Sequence, residues 1–537
     1  MNNKLSSILI ELFIVFILLM SGWKYTYAID NIIDIGMADE SNYLWGGAEI
    51  RNGEFTTGTV ADSAPLYTIW YYLLSLWRPD RIALYYFNYK VLAVLLPVLL
   101  YILLRRYELS IISSVTVSFF FMISCANLWV WPKVSHFSAV IVLSSFILAS
   151  CAKSFATRAG VICIGGLLSS YVRPEMFLAF TLLSTIFIIA VFVEFKKHRS
   201  IKVIIFLAGI IMLTGFMIRI FGWPARGNRA FVAFGQHFSL NWVHWTGNQN
   251  ISPWNNWRDI IDRNFGNIHN MSQALINNPN LFFKHMASNI MSIPKSLKIF
   301  LYHTNVIMPV NFREAGAYLL LGIIVLYILL KRNRLIPTLK SRITENSDLL
   351  LFFSCYLMVG FVSVLFFYPR HHYLIIPGML IIVMAAIFLA GRKRDHEFRD
   401  YKHLLLLGAL VIAVTPSSLG LSGTATGKPN LETIKFIRSL SIDQNVNLLE
   451  ANGGFHIYLG DNFSRVAPVD KESGFNDFIE RRQIKAIVLT DGLMNDTRFK
   501  DDEDWKFFLE NYKCLGWTGL GIPNTNRQFI VDSRLLK

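Results

Sequence analysis

Apolar runs of about twenty residues, each long enough to cross a hydrocarbon layer of about 30 Å, recur from the N-terminus to about residue 416. No other feature constrains this chain as tightly. With 53% hydrophobic and only 16% charged residues among 537, the natural solvent is a bilayer and not water. Hydropathy predicts eleven spanning helices, at 6–27, 82–104, 109–127, 134–152, 159–172, 175–194, 203–221, 315–331, 348–368, 372–391 and 403–417. The fifth is short.

The basic residues orient these runs. Arg105 and Arg106, Lys196, Lys197 and Arg199, Lys331, Arg332 and Arg334, and Arg392, Lys393 and Arg394 each follow directly on an apolar run, which is the positive-inside pattern. It predicts an N-terminus inside and a C-terminus outside. The formal net charge of +15 therefore reports topology: the basic residues are not gathered into one patch with interleaved aromatics, and no nucleic-acid partner is expected. Past Thr415 the chain is near charge balance. The start reads Lys4, an apolar stretch from Ile8 to Met20, then Tyr27-Ala28; Trp23 and Lys24 interrupt the approach to that cleavage-like site, so a retained signal anchor is expected.

Cys125, Cys151, Cys163 and Cys355 fall in apolar spans and Cys514 stands alone in the tail, which excludes a disulfide framework. The tail alternates helical patterns at Leu431–Leu440 and Phe475–Arg482 with β-rich runs at Val446–Leu449, Ala486–Thr490 and Phe529–Val531. The expected fold class is thus an α-helical polytopic membrane protein of about eleven spans with a small C-terminal α/β soluble domain. The membrane domain covers 1–417 with outer segments 28–81 and 222–314, and the outer α/β domain covers 418–537. No nucleotide-binding glycine loop occurs, and the cytoplasmic connections are too short for an active site, so chemistry is expected outside.

Three short motifs there carry candidate chemistry. Asp39-Glu40-Ser41-Asn42-Tyr43 lies about a dozen residues beyond the first span. Adjacent carboxylates near a membrane surface are costly to desolvate. Asp39 could act as a general base on an acceptor hydroxyl, with Glu40 orienting the acceptor or a divalent cation; equally, the pair could be a solvated acidic turn capping a helix that starts near Ser41. A stretch from Tyr67 to Trp77 follows, read as an amphipathic interfacial helix.

The second motif is Arg173-Pro174-Glu175 at an outer boundary, where Pro174 opens or ends a helix. Arg173 at that depth calls for an anion, either a lipid phosphate or the neighbouring Glu175, unless it snorkels. The third is Tyr368-Pro369-Arg370-His371-His372-Tyr373, with Pro377 in the following span. Arginine and histidine here can neutralise charge developing on a departing phosphate. Adjacent histidines point apart by about 100° on a helix, so no metal site is assigned to His371 and His372. Segment 222–314 adds Trp223, Trp242, Trp245, Trp254 and Trp257 with Arg226, Arg229, His237 and His244, aromatics that suit sugar rings and prenyl chains or an ordinary interfacial belt.

In order and placement these elements resemble the GT-C glycosyltransferase superfamily, in particular protein O-mannosyltransferases and the aminoarabinose transferases of lipid A. Asp39-Glu40-x-x-Tyr43 matches the acidic motif of the first outer loop, and Pro65-Leu66-Tyr67 matches the Pro-Leu-Tyr-like stretch after it. The histidine often found just before that stretch is replaced here by Asp62-Ser63-Ala64. Arg173–Glu175 matches the mid-chain Arg-Pro-Glu element, and Arg370 through Pro377 matches a late Arg-Tyr-Leu-x-x-x-Pro-like element with His-His inserted.

The resemblance implies a glycosyltransferase that moves a sugar from a polyprenyl-phosphate donor to a cell-surface glycan, lipopolysaccharide or protein acceptor by inverting displacement. It implies Asp39 and Glu40 as catalytic residues, with Tyr43, Asp62, Arg173, Glu175, Arg370, His371, His372 and Tyr373 binding substrate. A bacterial inner membrane, with the site facing the periplasm or exterior, fits best. The competing classes are an O-antigen polymerase or ligase, whose key arginines lie in a late loop without an early Asp-Glu pair, and a transporter of polyprenyl-linked glycans, which would carry an internal repeat that this sequence lacks.

Overall fold

The computed structural model describes residues 2–53, 64–225, 229–248, 251–300, 339–389, 401–418, 427–451 and 453–536. The predicted span 315–331, Asp62 and Arg226 lie outside them. The chain divides into two compact units: Met1–Thr26, Val60–Tyr67 and Val91–Pro416 form one, and Tyr27–Thr59, Thr68–Lys90 and Ser417–Lys537 form the other. Most of the first outer segment expected from sequence, all but residues 60–67, thus shares a unit with the tail.

Among the described residues six helices are long and apolar enough to cross a membrane: Ile8–Asn31, Arg81–Arg106, Met176–His198, Ile201–Phe221, Ser347–Phe366 and His371–Leu389. They correspond to six of the predicted runs. Four more, Ile111–Ile123, Val134–Ala149, Phe155–Ser170 and Lys402–Val414, are apolar helices of only 10–17 residues, short of the about twenty that a span needs. The predicted run 109–127 is broken at Ser124, whose backbone is extended (φ −70°, ψ 155°) and whose hydroxyl caps the one-turn helix Cys125–Leu128. Buried Lys133 donates to the Asn127 and Leu128 carbonyls at 2.6 and 3.2 Å, groups that the short helix leaves without an internal partner. Hydropathy cannot detect such a break, because both sides of it are equally apolar.

In the first unit the core runs through Phe146, Leu183, Phe187, Phe353 and Val383. Helix Met176–His198 buries Ala179, Leu183, Phe187 and Ala190 and leaves Ile188, Ile189, Phe192 and Val193 exposed. Apolar residues on both faces are what hydrocarbon surroundings select. Close approach comes from small residues: a Cβ on Gly160 would lie 2.3 Å from the Phe206 ring and 2.8 Å from that of Phe187.

In the second unit a five-stranded sheet has the order β2-β1-β3-β5-β4, with β1 Val446–Leu449, β2 Phe463–Val466, β3 Ile484–Leu489, β4 Trp517–Gly521 and β5 Gln528–Asp532. β1 runs parallel to β2 and β3, while β5 is antiparallel to β3 and β4. Phe475, Phe478, Phe499, Trp505 and Phe508 fill the core on one side. The sequence pattern marks β1, β3 and β5, and the helices Pro429–Ser439 and Phe475–Arg481, but misses β2 and β4. Those two are the edge strands. β2 buries only its ends and β4 is half-exposed with two glycines, so neither carries a strong apolar pattern.

Tyr27–Thr59 and Thr68–Lys90 are tied into this unit by specific bonds. The Asp34 carboxylate accepts from the Asn430 and Leu431 backbone N–H groups at 3.0 and 2.9 Å, at the start of helix Pro429–Ser439. Tyr458 donates to the Gly36 carbonyl at 2.7 Å, Arg81 donates to that of Ile457 at 2.8 Å and pairs with Asp461, and Arg438 pairs with Asp80 at 2.7 Å.

Candidate functional site

In the first unit the Arg173 turn joins helices Phe155–Ser170 and Met176–His198. Arg173 is only 6% exposed, and its Nε donates to Glu175 Oε1 at 2.6 Å. Of the partners left open by the sequence, the neighbouring carboxylate is therefore taken. The guanidinium also lies 4.7 Å from the centre of the Tyr373 ring, which brings together two motifs two hundred residues apart.

Helix Ser347–Phe366 would leave its last carbonyls without partners. Asn289 Nδ2 donates to the Leu365 and Phe367 carbonyls at 2.9 and 3.1 Å, and His285 Nε2 lies 3.1 Å from that of Phe366. A carbonyl only accepts, so Nε2 carries the proton and Nδ1 accepts from Asn241 Nδ2 at 2.9 Å; this tautomer is assigned from the partners. Asn241, His285 and Asn289 are all buried. Burial pushes His285 down to about 4, against the pull of the Phe366 and Phe367 carbonyls, so it is neutral at ordinary pH. Helices Arg229–Thr246 and Pro279–Leu297 thereby hold the turn that presents Tyr368–Tyr373.

Within that turn His371 is exposed and His372 is buried, with the His372 ring 4.3 Å from that of Tyr373. The two imidazoles occupy different surroundings, as neighbours in a chain should. The Arg370 guanidinium lies 4.9 Å from the Trp254 ring and makes no ion pair among the described residues. Beside it His237, 3% exposed, stacks on Tyr368 at 6.0 Å and meets Trp254 and Tyr373 edge-on, and among the described residues neither of its ring nitrogens makes a well-aligned hydrogen bond. Burial first, then Arg370 and His285, push its pKa to about 3. Sequence reasoning placed His237 and Trp254 in an aromatic-rich segment but had no signal joining them to Arg370.

A cavity of about 960 Å³ shares Tyr373 with this cluster, while Arg370, His237 and Trp254 are not among its lining residues. Arg173, Glu175, Arg229 and Tyr373 contribute its polar lining, and Phe177, Leu178, Phe221, Trp223, Val359 and Phe366 its apolar walls. Leu178, Thr181 and Trp223 at its margin are exposed. Its size and mixed lining suit an amphiphile that carries both an anionic group and an apolar part.

In the second unit helix Asp39–Arg51 carries the acidic motif in its first turn, where the helix dipole favours negative charge. It starts two residues earlier than Ser41, and Ala38 before it supplies no side-chain cap. Asp39 is exposed and Glu40 is fully buried. Glu40 Oε1 accepts from the Tyr71 hydroxyl at 2.5 Å and from Asn88 Nδ2 at 3.3 Å, while Asn88 also donates to Tyr71 at 2.9 Å and accepts from Trp70 Nε1 at 2.8 Å. Tyr43, one turn along, is 2% exposed. Glu40 therefore faces inward, and the solvent-facing acid of the pair is Asp39 alone. A side chain on Gly47 would strike the Tyr71 Cβ and the Tyr72 nitrogen at 2.7 Å, so glycine lets helix Pro65–Ser75 come close enough for the Tyr71 bond. Among the described residues no group of three or more His, Cys, Asp or Glu side chains gathers around a common point, at Glu40 or elsewhere.

No protein-family model matches this sequence, and no curated protein matches it.

Proposed function

We propose that the chain is a multi-pass membrane glycosyltransferase of the GT-C kind, with about eleven spans, that transfers a sugar from a polyprenyl-phosphate donor to an extracytoplasmic glycan, lipid or protein acceptor. Its site faces the periplasm or exterior of a bacterial inner membrane. The observation that carries this reading is the cavity of about 960 Å³, whose apolar lining together with Arg173 and Arg229 suits a prenyl chain with a phosphate head. Arg370, without an ion-pair partner among the described residues and set in an aromatic cluster, supports it independently.

In this reaction the acceptor oxygen attacks the anomeric carbon as the bond from that carbon to the phosphate oxygen breaks. The acceptor proton passes to Asp39, and the electron pair of the broken bond leaves on polyprenyl phosphate, whose charge Arg370 offsets. One direct displacement inverts the anomeric centre. Phosphate is already a good leaving group, so the site needs a base and a cation more than a strong acid. Glu40 serves the fold around Asp39 and does not touch substrate.

Asp39→Asn tests the assignment, because it keeps the shape and removes the base. Purified protein is given a panel of polyprenyl-phosphate sugars, and released polyprenyl phosphate is followed. Transfer should fall by about two orders of magnitude or more with folding retained. Full turnover in that variant would rule the mechanism out.

A further inference from the structure

The connections of the parallel strands reverse direction between β1 and β3, and in open α/β sheets the crevice past the carboxyl ends of the strands at such a point is the usual ligand seat. Here the chain's own segment 34–41 meets the groups at that edge. Asp34 bonds the first N–H groups of helix Pro429–Ser439, which leads into β1. Arg527, directly before β5, donates to the Asn430 side chain at 2.8 Å and lies 5.7 Å from the Phe455 ring. The loop after β1 closes on Met37, Ala38 and Ser41.

The described residues of that loop are held by specific bonds. Glu450, fully buried, accepts from the Gly454 and Phe455 N–H groups at 2.9 and 2.7 Å and from His456 Nδ1 at 2.5 Å. The Gly453 carbonyl so fixed accepts from the Ala38 N–H at 2.8 Å. Ala38 itself has φ 55° and ψ −113°, a conformation that side-chain-bearing residues rarely adopt and that only its surroundings can impose. Ser41 Oγ donates to the Ala38 carbonyl at 2.9 Å, and Tyr458 donates to that of Gly36 at 2.7 Å. Gly454, at φ 140°, admits no side chain: a Cβ would lie 2.8 Å from Met37 Sδ and 3.0 Å from Ser41 Oγ. The bonds from Gly453, Ser41 and Tyr458 each end on Gly36 or Ala38, which lead into Asp39.

We propose that the loop after β1 is a clamp that sets the direction in which Asp39 leaves the start of its helix, making Glu450, Gly454 and Tyr458 positioning residues for that side chain. The proposal rests on the reading of Asp39 as the base. It assigns the C-terminal α/β domain a part in transfer, with its ligand crevice given over to the chain's own acidic segment.

The test uses the full chain in lipid nanodiscs and the variants Glu450→Gln, Gly454→Ala and Tyr458→Phe, with Asp39→Asn alongside. Tyr458→Phe removes one hydroxyl and keeps the ring, so it remains informative if the other two do not fold. Backbone hydrogen exchange over residues 34–44 should rise by about tenfold or more in each folded variant, with exchange in helix Met176–His198 unchanged. Transfer from a polyprenyl-phosphate sugar should lose about tenfold or more in kcat while KM for the donor holds, because a displaced base slows the chemical step without weakening donor binding. Exchange over 34–44 that stays at the wild-type rate overturns the clamp whatever the activity. Faster exchange with wild-type kcat, where Asp39→Asn is inactive, overturns the positioning role. If Asp39→Asn itself transfers normally, the glycosyltransferase mechanism fails, and the exchange data still decide whether the clamp exists.

Discussion

The polar cluster around Tyr373 in one unit is partly buried and that around Glu40 in the other is buried, and they are satisfied in opposite ways. Glu40 receives Tyr71 and Asn88, Asp34 receives two backbone N–H groups, and Glu450 receives two more with His456. These carboxylates are saturated by the chain itself. Around Tyr373, by contrast, among the described residues Arg370 has no ion-pair partner and His237 makes no well-aligned hydrogen bond at either nitrogen, and Tyr373 itself lines a cavity of about 960 Å³. Buried polar groups are normally paired, because leaving one unpaired costs about 1–3 kcal/mol. The proposed donor site is therefore put to the test at the first cluster, and the second is read as serving the fold.

Substitutions can break this contrast. The largest effect is expected at Arg370→Ala, which should lower kcat/KM for a polyprenyl-phosphate donor by about 10²-fold and leave the melting temperature near wild type. Donor kinetics and a thermal melt check it, and equal donor dependence in the two proteins would remove Arg370 from the site. Tyr71→Phe should do the reverse. It strips the closest donor from a buried carboxylate, so stability should drop by about 1–3 kcal/mol, read as a lower melting temperature, with any loss of transfer following the loss of folded protein. A normal melt would mean that Glu40 is not held as described.

The smallest effect concerns pH. Burial holds His285 at about 4 in the folded chain, below its ordinary 6.5, so the unfolded chain binds the extra proton first. Its contribution is complete above pH 6.5 and is lost as pH falls towards 4. The melting temperature should decline across that window, and His285→Gln should flatten the decline even if it lowers the whole curve. A slope unchanged by that variant would exclude His285 as its origin.

Local signals were readable in the residues themselves. The lengths of Met176–His198 and Ile201–Phe221 follow from apolar runs, and the turn at Arg173 follows from Pro174. The central strands β1 and β3 are short and apolar enough to be seen, whereas the edge strands β2 and β4 are not, because half their side chains face solvent and demand no pattern. The break at Ser124 hides inside an unbroken apolar stretch, since its cause is a change of backbone direction and not of solvent preference.

The candidate site divides along the same line. Asp39, Arg173 and Arg370 stand out because charge beside apolar chain is expensive wherever it occurs, and that expense depends on residue type and neighbours in sequence alone. Which of two adjacent acids faces outward, which aromatic Arg173 rests on, and which histidine stands beside Arg370 were decided by contacts between residues tens to hundreds of positions apart. Sequence determines what must be buried or solvated. Only the tertiary structure decides against what, because a partner is chosen by distance in space, and that distance exists only once the chain has packed.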